Sequence, residues 1–105
     1  LPLWLAPTQV AIIPISEKAM SYAKKIEKML IENDIRAELD PRNERLQKKI
    51  RDAEVTKVPY MVIIGEKEAN ENSLSVRSKT QGEMGRFMAD EFMQMLKKEI
   101  SEKVR

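Results

Sequence analysis

Cysteine and histidine are both absent from the 105 residues, glycine occurs only three times, and aromatic residues make up 5% of the chain. Without cysteine there is no disulfide framework and no thiol chemistry. Without cysteine or histidine, the nitrogen and sulfur ligands of ordinary zinc sites and the histidine of a hydrolytic triad are missing too. The longest apolar runs, Val10 to Ile15 and Tyr60 to Ile64, are far shorter than the roughly 20 residues a membrane-spanning helix needs. No basic-then-apolar signal segment opens the chain, and a reducing, cytoplasmic setting is expected. The chain starts at Leu1-Pro2-Leu3-Trp4 with no initiator methionine, so a single domain over residues 1–105, cut from a longer protein, is expected.

Charge is abundant and nearly balanced, 19 Lys plus Arg against 17 Asp plus Glu, for a net +2. Its distribution is uneven. From Arg42 to Lys57 the chain carries Arg42, Arg45, Lys48, Lys49, Arg51 and Lys57 against Glu44, Asp52 and Glu54. From Glu17 to Asp34 the two signs cancel. A basic centre of this kind reads either as a solvated helix face or as a surface for a polyanion.

Periodicity supplies the fold. Gln9-Val10-Ala11-Ile12-Ile13-Pro14-Ile15 is nearly continuous in apolar residues, as a strand buried on both faces should be. Ser16 can cap a helix on which Ala19, Ala23, Ile26 and Leu30 recur at spacings of three and four. Ile35, Ala37 and Leu39 alternate with polar residues, a strand that Pro41 stops. A second helix is expected from Asn43, with Leu46, Ile50 and Ala53 inward, until Pro59 forces extended backbone before the strand Tyr60 to Ile64. Glu66 to Ala69 and Ser73 to Lys79, around Asn70-Glu71-Asn72, read as a hairpin. Gly82 and Gly85 loosen the next connection, and Ala89, Phe92, Met93, Leu96 and Ile100 define a last helix. Two successive strand-helix-strand units imply a parallel core. The expected architecture is therefore α/β: a three-layer mixed sheet of five strands, parallel at its core with an antiparallel edge, flanked by three helices.

No Gly-rich loop follows the first strand, where Pro14-Ile15-Ser16-Glu17 stand instead, which argues against phosphate cradling at that turn. No paired-carboxylate cluster falls on one element, which leaves acid-base hydrolysis without a seat. The second helix is more informative. Asn43, Gln47 and Arg51 recur every four residues, and two amides and a guanidinium in line can read base edges. The alternative has Asn43 capping the helix, Gln47 solvated, and Arg51 paired with Glu54 or Asp52. Arg77, outward on its strand, is either a surface charge or a fork of donors for guanine or phosphate. Glu68 would repel phosphate but accept from the Watson-Crick N–H groups of guanine or uracil. Lys48 and Lys49, with Arg45 and Lys57, would attract phosphate without selecting a base.

The opening Leu1-Pro2-Leu3-Trp4-Leu5-Ala6-Pro7-Thr8-Gln9-Val10 resembles the start of the C-terminal anticodon-binding domain of threonyl-tRNA synthetases. Asp40-Pro41-Arg42-Asn43-Glu44, Lys49-Ile50-Arg51, Val58-Pro59-Tyr60-Met61, Gly65-Glu66-Lys67-Glu68 and Ser75-Val76-Arg77 continue the likeness in order. Prolyl-, glycyl- and histidyl-tRNA synthetases carry related modules, and Trp4 with Arg42-Asn43-Glu44 favours the threonyl branch. The sequence departs from the pattern at Gln47, where glycine is frequent, and at Ser78-Lys79-Thr80-Gln81, where the family is more basic.

The resemblance implies anticodon contacts at Asn43, Arg51, Glu68 and Arg77 and a threonine tRNA as partner, read at its second and third anticodon bases, G and U. It implies a catalytic domain elsewhere in the same enzyme, where ATP and zinc would bind, so this chain would hold no cofactor and be inactive alone. The isolated chain is expected to be a monomer, with any dimer of the parent made elsewhere. An accessory or regulatory paralogue built on the same fold, and a small α/β nucleotide-binding domain, remain the competing readings.

Overall fold

A computed structural model describes residues 1–103. After a 3₁₀ turn at Leu3–Leu5, the chain forms β1 (Val10–Pro14), α1 (Met20–Glu32), β2 (Ala37–Leu39), α2 (Leu46–Val55), β3 (Tyr60–Ile64), α3 (Glu66–Glu71), β4 (Ser73–Ser78), β5 (Gly82–Met88) and α4 (Ala89–Ser101). The five strands make one sheet in the order β2-β1-β3-β4-β5. β1 runs parallel to both β2 and β3, while β4 and β5 complete an antiparallel edge. The expected α/β class and mixed sheet are therefore present.

Two crossovers of one hand that leave in opposite directions along a sheet put their helices on opposite faces. Val10, Ile12, Val62, Ile64, Leu74 and Val76 accordingly meet α1 and α4 on one face. Ala11, Ile13, Met61 and Ile63 meet α2 on the other. Phe92 of α4 is fully buried and stands edge-on to Tyr60 at 5.8 Å and to Phe87 at 6.3 Å. Such edge-to-face pairs add to the burial of the rings themselves. Tyr60 satisfies its hydroxyl by donating to Glu99 Oε1 at 2.7 Å. Buried Gln9 ties the amino-terminal segment to the sheet: its Nε2 donates to the Leu3 carbonyl at 2.9 Å, and its Oε1 accepts the Arg36 N–H at 2.8 Å.

The hairpin expected over residues 66–79 is displaced along the chain. Residues 66–71 form the helix α3, a fourth α-helix where three were expected, and β4 pairs instead with β5. Glu68 explains the helix: its Oε1 accepts the Gly65 backbone N–H at 2.7 Å, satisfying a group that a helix start leaves without a partner. Asn72, with φ 54°, ends it in the left-handed region. Gly85 lies within β5 rather than a loose connection, and its φ of 89° accompanies a register shift between Val76 and Arg77. No helix among the described residues is long and apolar enough to cross a membrane.

Candidate nucleic-acid interface

On the face that α2 covers, its cover ends at β3. Register places Ser75 opposite Ile63 and Arg77 opposite Met61, then Arg86 opposite Ser75 and Glu83 opposite Arg77. Cross-strand partners share a face, so these four side chains continue the α2 side of the sheet, Ser75 and Arg77 half-buried and Glu83 and Arg86 exposed.

An open cleft of about 700 Å³ runs between α2 and this edge, lined among others by Gln47, Lys48, Arg51, Asp52, Glu54 and Arg77. Gln47 and Arg51 reach it together because residues four apart share a helix flank. Among the described residues neither Arg51 nor Arg77 enters an ion pair. Asp52, one of the two carboxylates that the alternative reading paired with Arg51, is engaged by Arg42 at 2.9 Å and Lys48 at 3.6 Å. Two guanidinium forks therefore line one cleft with their donors unspent, an arrangement suited to phosphate or to the acceptor edges of bases.

Asn43 stands outside this line. α2 begins at Leu46 and is capped by the Arg45 backbone without a side-chain bond, so Asn43 neither continues the helical spacing of Gln47 and Arg51 nor caps the helix. It sits exposed in the loop from β2 to α2. Arg42 holds that loop. Its Nε and Nη2 bond the two oxygens of Asp40 at 3.0 and 2.8 Å, and its Nη1 reaches Asp52 on α2 at 2.9 Å. These charge-assisted bonds hold the Asp40 carboxyl below the usual carboxylate range, and Arg42 does the same for Asp52. Arg42 is thereby consumed as a clamp that displays the next residue.

The structure also separates the two lysines. Lys48 is exposed and shared between Glu44 at 3.9 Å and Asp52 at 3.6 Å. Lys49 is 5% exposed, and its Nζ donates to the Pro14 carbonyl at 3.3 Å. The inward flank of α2 therefore contains Lys49 and Ala53, with Leu46 and Ile50 half-buried, because a lysine stem can cover apolar surface while its ammonium finds a carbonyl.

Glu68 lies at the carboxyl end of β3 and is 8% exposed. Gly65 takes one of its oxygens, and the other faces Arg86 Nη2 at 3.4 Å. Nothing in the sequence singles out Arg86, whose neighbours Met84 and Gly85 hide the strand. The alternation of Met84 and Arg86 with Glu83, Gly85 and Phe87 around a bulge is too irregular to assign faces without the register. No cluster of three or more acidic side chains among the described residues is placed to hold a metal ion.

The family described as "Anticodon binding domain" matches residues 9–99. The threonine–tRNA ligase of Clostridioides difficile is 52% identical over 94% of this chain, and that of Chlorobium phaeobacteroides is 51% identical over 97%. The chain spans only 16% of the length of either relative. Among solved structures, the RNA-binding domain of threonyl-tRNA synthetase from Cryptosporidium parvum superposes with a TM-score of 0.88 at 30% identity, covering 93% of this chain and 25% of that one.

Proposed function

Given that the chain belongs to the anticodon-binding domain family, we propose that it recognises the anticodon loop of threonine tRNA, with the second and third anticodon bases, G and U, read on the open face beside α2. The observation that carries the reading is the cleft in which Gln47, Arg51 and Arg77 converge from a helix and a strand while neither arginine is spent on a carboxylate among the described residues. Similarity to threonine–tRNA ligases over nearly the whole chain supports the choice of tRNA.

In this reading Arg77 and Asn43 bond guanine, Glu68 accepts from a guanine or uracil N–H, and Arg51 contacts a base or braces the loop. Unstacked loop bases offer the Watson-Crick edges such groups need. Lys48 adds phosphate attraction that positions without selecting. Aminoacylation, with ATP and zinc, belongs to the remainder of a longer enzyme, whose catalytic domain is the second partner. The module itself performs no chemistry.

The test is a panel of threonine anticodon stem-loops carrying one altered base each, titrated against the chain or against the parent enzyme. Replacing the second or third base should weaken binding about five-fold to over a hundred-fold, because a donor or acceptor in the site loses its partner. Replacing the first should cost little, since every threonine codon must be served. Equal tolerance at all three positions defeats the proposal, and a preference for proline or glycine anticodons transfers the chain to the related modules.

A further inference from the structure

Glu68 has four lone-pair sites on its two carboxylate oxygens, and the fold occupies them unequally. Oε1 accepts the Gly65 N–H at 2.7 Å, which fixes the side chain against its own backbone. Oε2 faces Arg86 Nη2 at 3.4 Å, and the other arm of the same guanidinium, Nη1, bonds Glu71 Oε1 at 3.0 Å. The Glu68 side chain is 10% exposed and that of Arg86 39%. Arg86 thus reaches from the outermost strand over two carboxylates one helical turn apart, anchored on Glu71 and reaching toward Glu68.

From this geometry we infer that Arg86 is a positioning residue for base recognition: held by Glu71, it orients the Glu68 carboxylate, leaving an Oε2 lone pair for a base N–H. The inference rests on the base-reading role of Glu68 proposed above. Two consequences of the chemistry support it. A planar guanidinium can bridge two carboxylates at once, so Glu71 sets the height at which the second arm meets Glu68. A carboxylate held at both oxygens presents its free lone pair at one angle, whereas one held only through Oε1 can turn about that bond and meets a base N–H in poorer geometry.

The experiment compares wild type, Arg86→Gln, Glu68→Gln and the double variant on the same stem-loop panel, with the salt dependence recorded for each. Arg86→Gln should lose about tenfold in discrimination at the base Glu68 reads, with its salt slope retained, and should cost nothing further in the Glu68→Gln background. Uniform weakening on every loop with a shallower salt slope would make Arg86 a phosphate contact and overturn the inference, as would full additivity of the two changes. A wild-type chain that fails to discriminate bases defeats the anticodon reading instead, and amide exchange then decides the positioning claim without RNA. Arg86→Gln should speed exchange of the Gly65 N–H that Glu68 accepts, and unchanged protection there overturns it.

Discussion

Arg51 of α2 and Arg77 of β4 line the same cleft although they come from different layers of the fold, and neither is neutralised by a carboxylate among the described residues. Two like charges brought together by tertiary structure, each with open donors, cost stability unless something else repays it, and a bound polyanion does so. Arg77→Ala should therefore weaken binding to the threonine anticodon loop by roughly 1–3 kcal/mol and relax discrimination at one base. Thermal stability should stay level or rise. Fluorescence titration beside a melting curve separates the two effects, and a variant that loses stability while keeping discrimination would place Arg77 in the scaffold.

The Arg42 clamp makes a separate prediction about Asn43. Because Arg42 ties Asp40 at the end of β2 to Asp52 on α2, Arg42→Ala should free the loop that displays Asn43, while Lys48 still engages Asp52 at the cleft. Affinity should fall through a faster dissociation rate, since an unrestrained loop must be ordered on binding. Asn43→Ala should then cost less in the Arg42→Ala background than alone, which a double-mutant cycle measures directly.

The same clamp responds to acid in a defined direction. Asp40 and Asp52 are held below the ordinary carboxylate range, chiefly by hydrogen bonds from Arg42, so the folded protein binds their protons less readily than the unfolded chain. Their contribution to stability is fully present above the unfolded carboxylate range, near pH 4, and is lost as pH falls through the lower folded values. Urea midpoints from pH 7 to pH 2.5 should show a decline for wild type that is shallower in Arg42→Ala. Identical acid limbs would show that the clamp adds nothing in solution.

What could be read from the sequence follows burial. β1 and β3 announce themselves because strands covered on both faces are apolar throughout, and Tyr60–Ile64 agrees with its expected limits to the residue. α3 reads as a strand in the sequence because six residues are too few to display a helical period, although a Glu three residues past Gly65 is a signal of its start. β5 is hidden in the sequence for another reason: an exposed edge strand with two glycines and a bulge keeps no clean alternation. The site divides in the same way. Gln47 and Arg51 follow from helical spacing, whereas the meeting of Arg51 with Arg77, the reach of Arg86 to Glu68 and the burial of Lys49 depend on sheet register and layer packing.

Phe92 tests the larger core. It is fully buried and meets both Tyr60 and Phe87, so Phe92→Ala should cost about 3–5 kcal/mol, a large part of what a domain of this size has. A loss of about 12 °C or more in melting temperature is expected. A loss of only a few degrees would mean that Tyr60 and Phe87 collapse into the space.

Lys49 provides the sharpest contrast between what its charge suggests and where it sits. Counted with its neighbours it belongs to a basic centre that would draw phosphate, yet it is 5% exposed and its ammonium donates to the Pro14 carbonyl. Lys49→Met keeps an unbranched stem of similar length and removes the charge. The Pro14 carbonyl loses a donor, at a cost of about 1–3 kcal/mol, while the buried ammonium no longer has to be held away from water, which offsets most or all of that cost. Stability should therefore change by no more than about 1 kcal/mol. For RNA, each cation that neutralises a phosphate contributes about 0.7 to the slope of log affinity against log salt on a single strand. Lys49→Met should leave that slope unchanged, whereas Lys48→Ala, which removes an exposed ammonium, should lower it. Salt titrations of both variants on one anticodon stem-loop decide the matter: a drop of about 0.7 for Lys49→Met would mean that its ammonium leaves the Pro14 carbonyl to meet the tRNA.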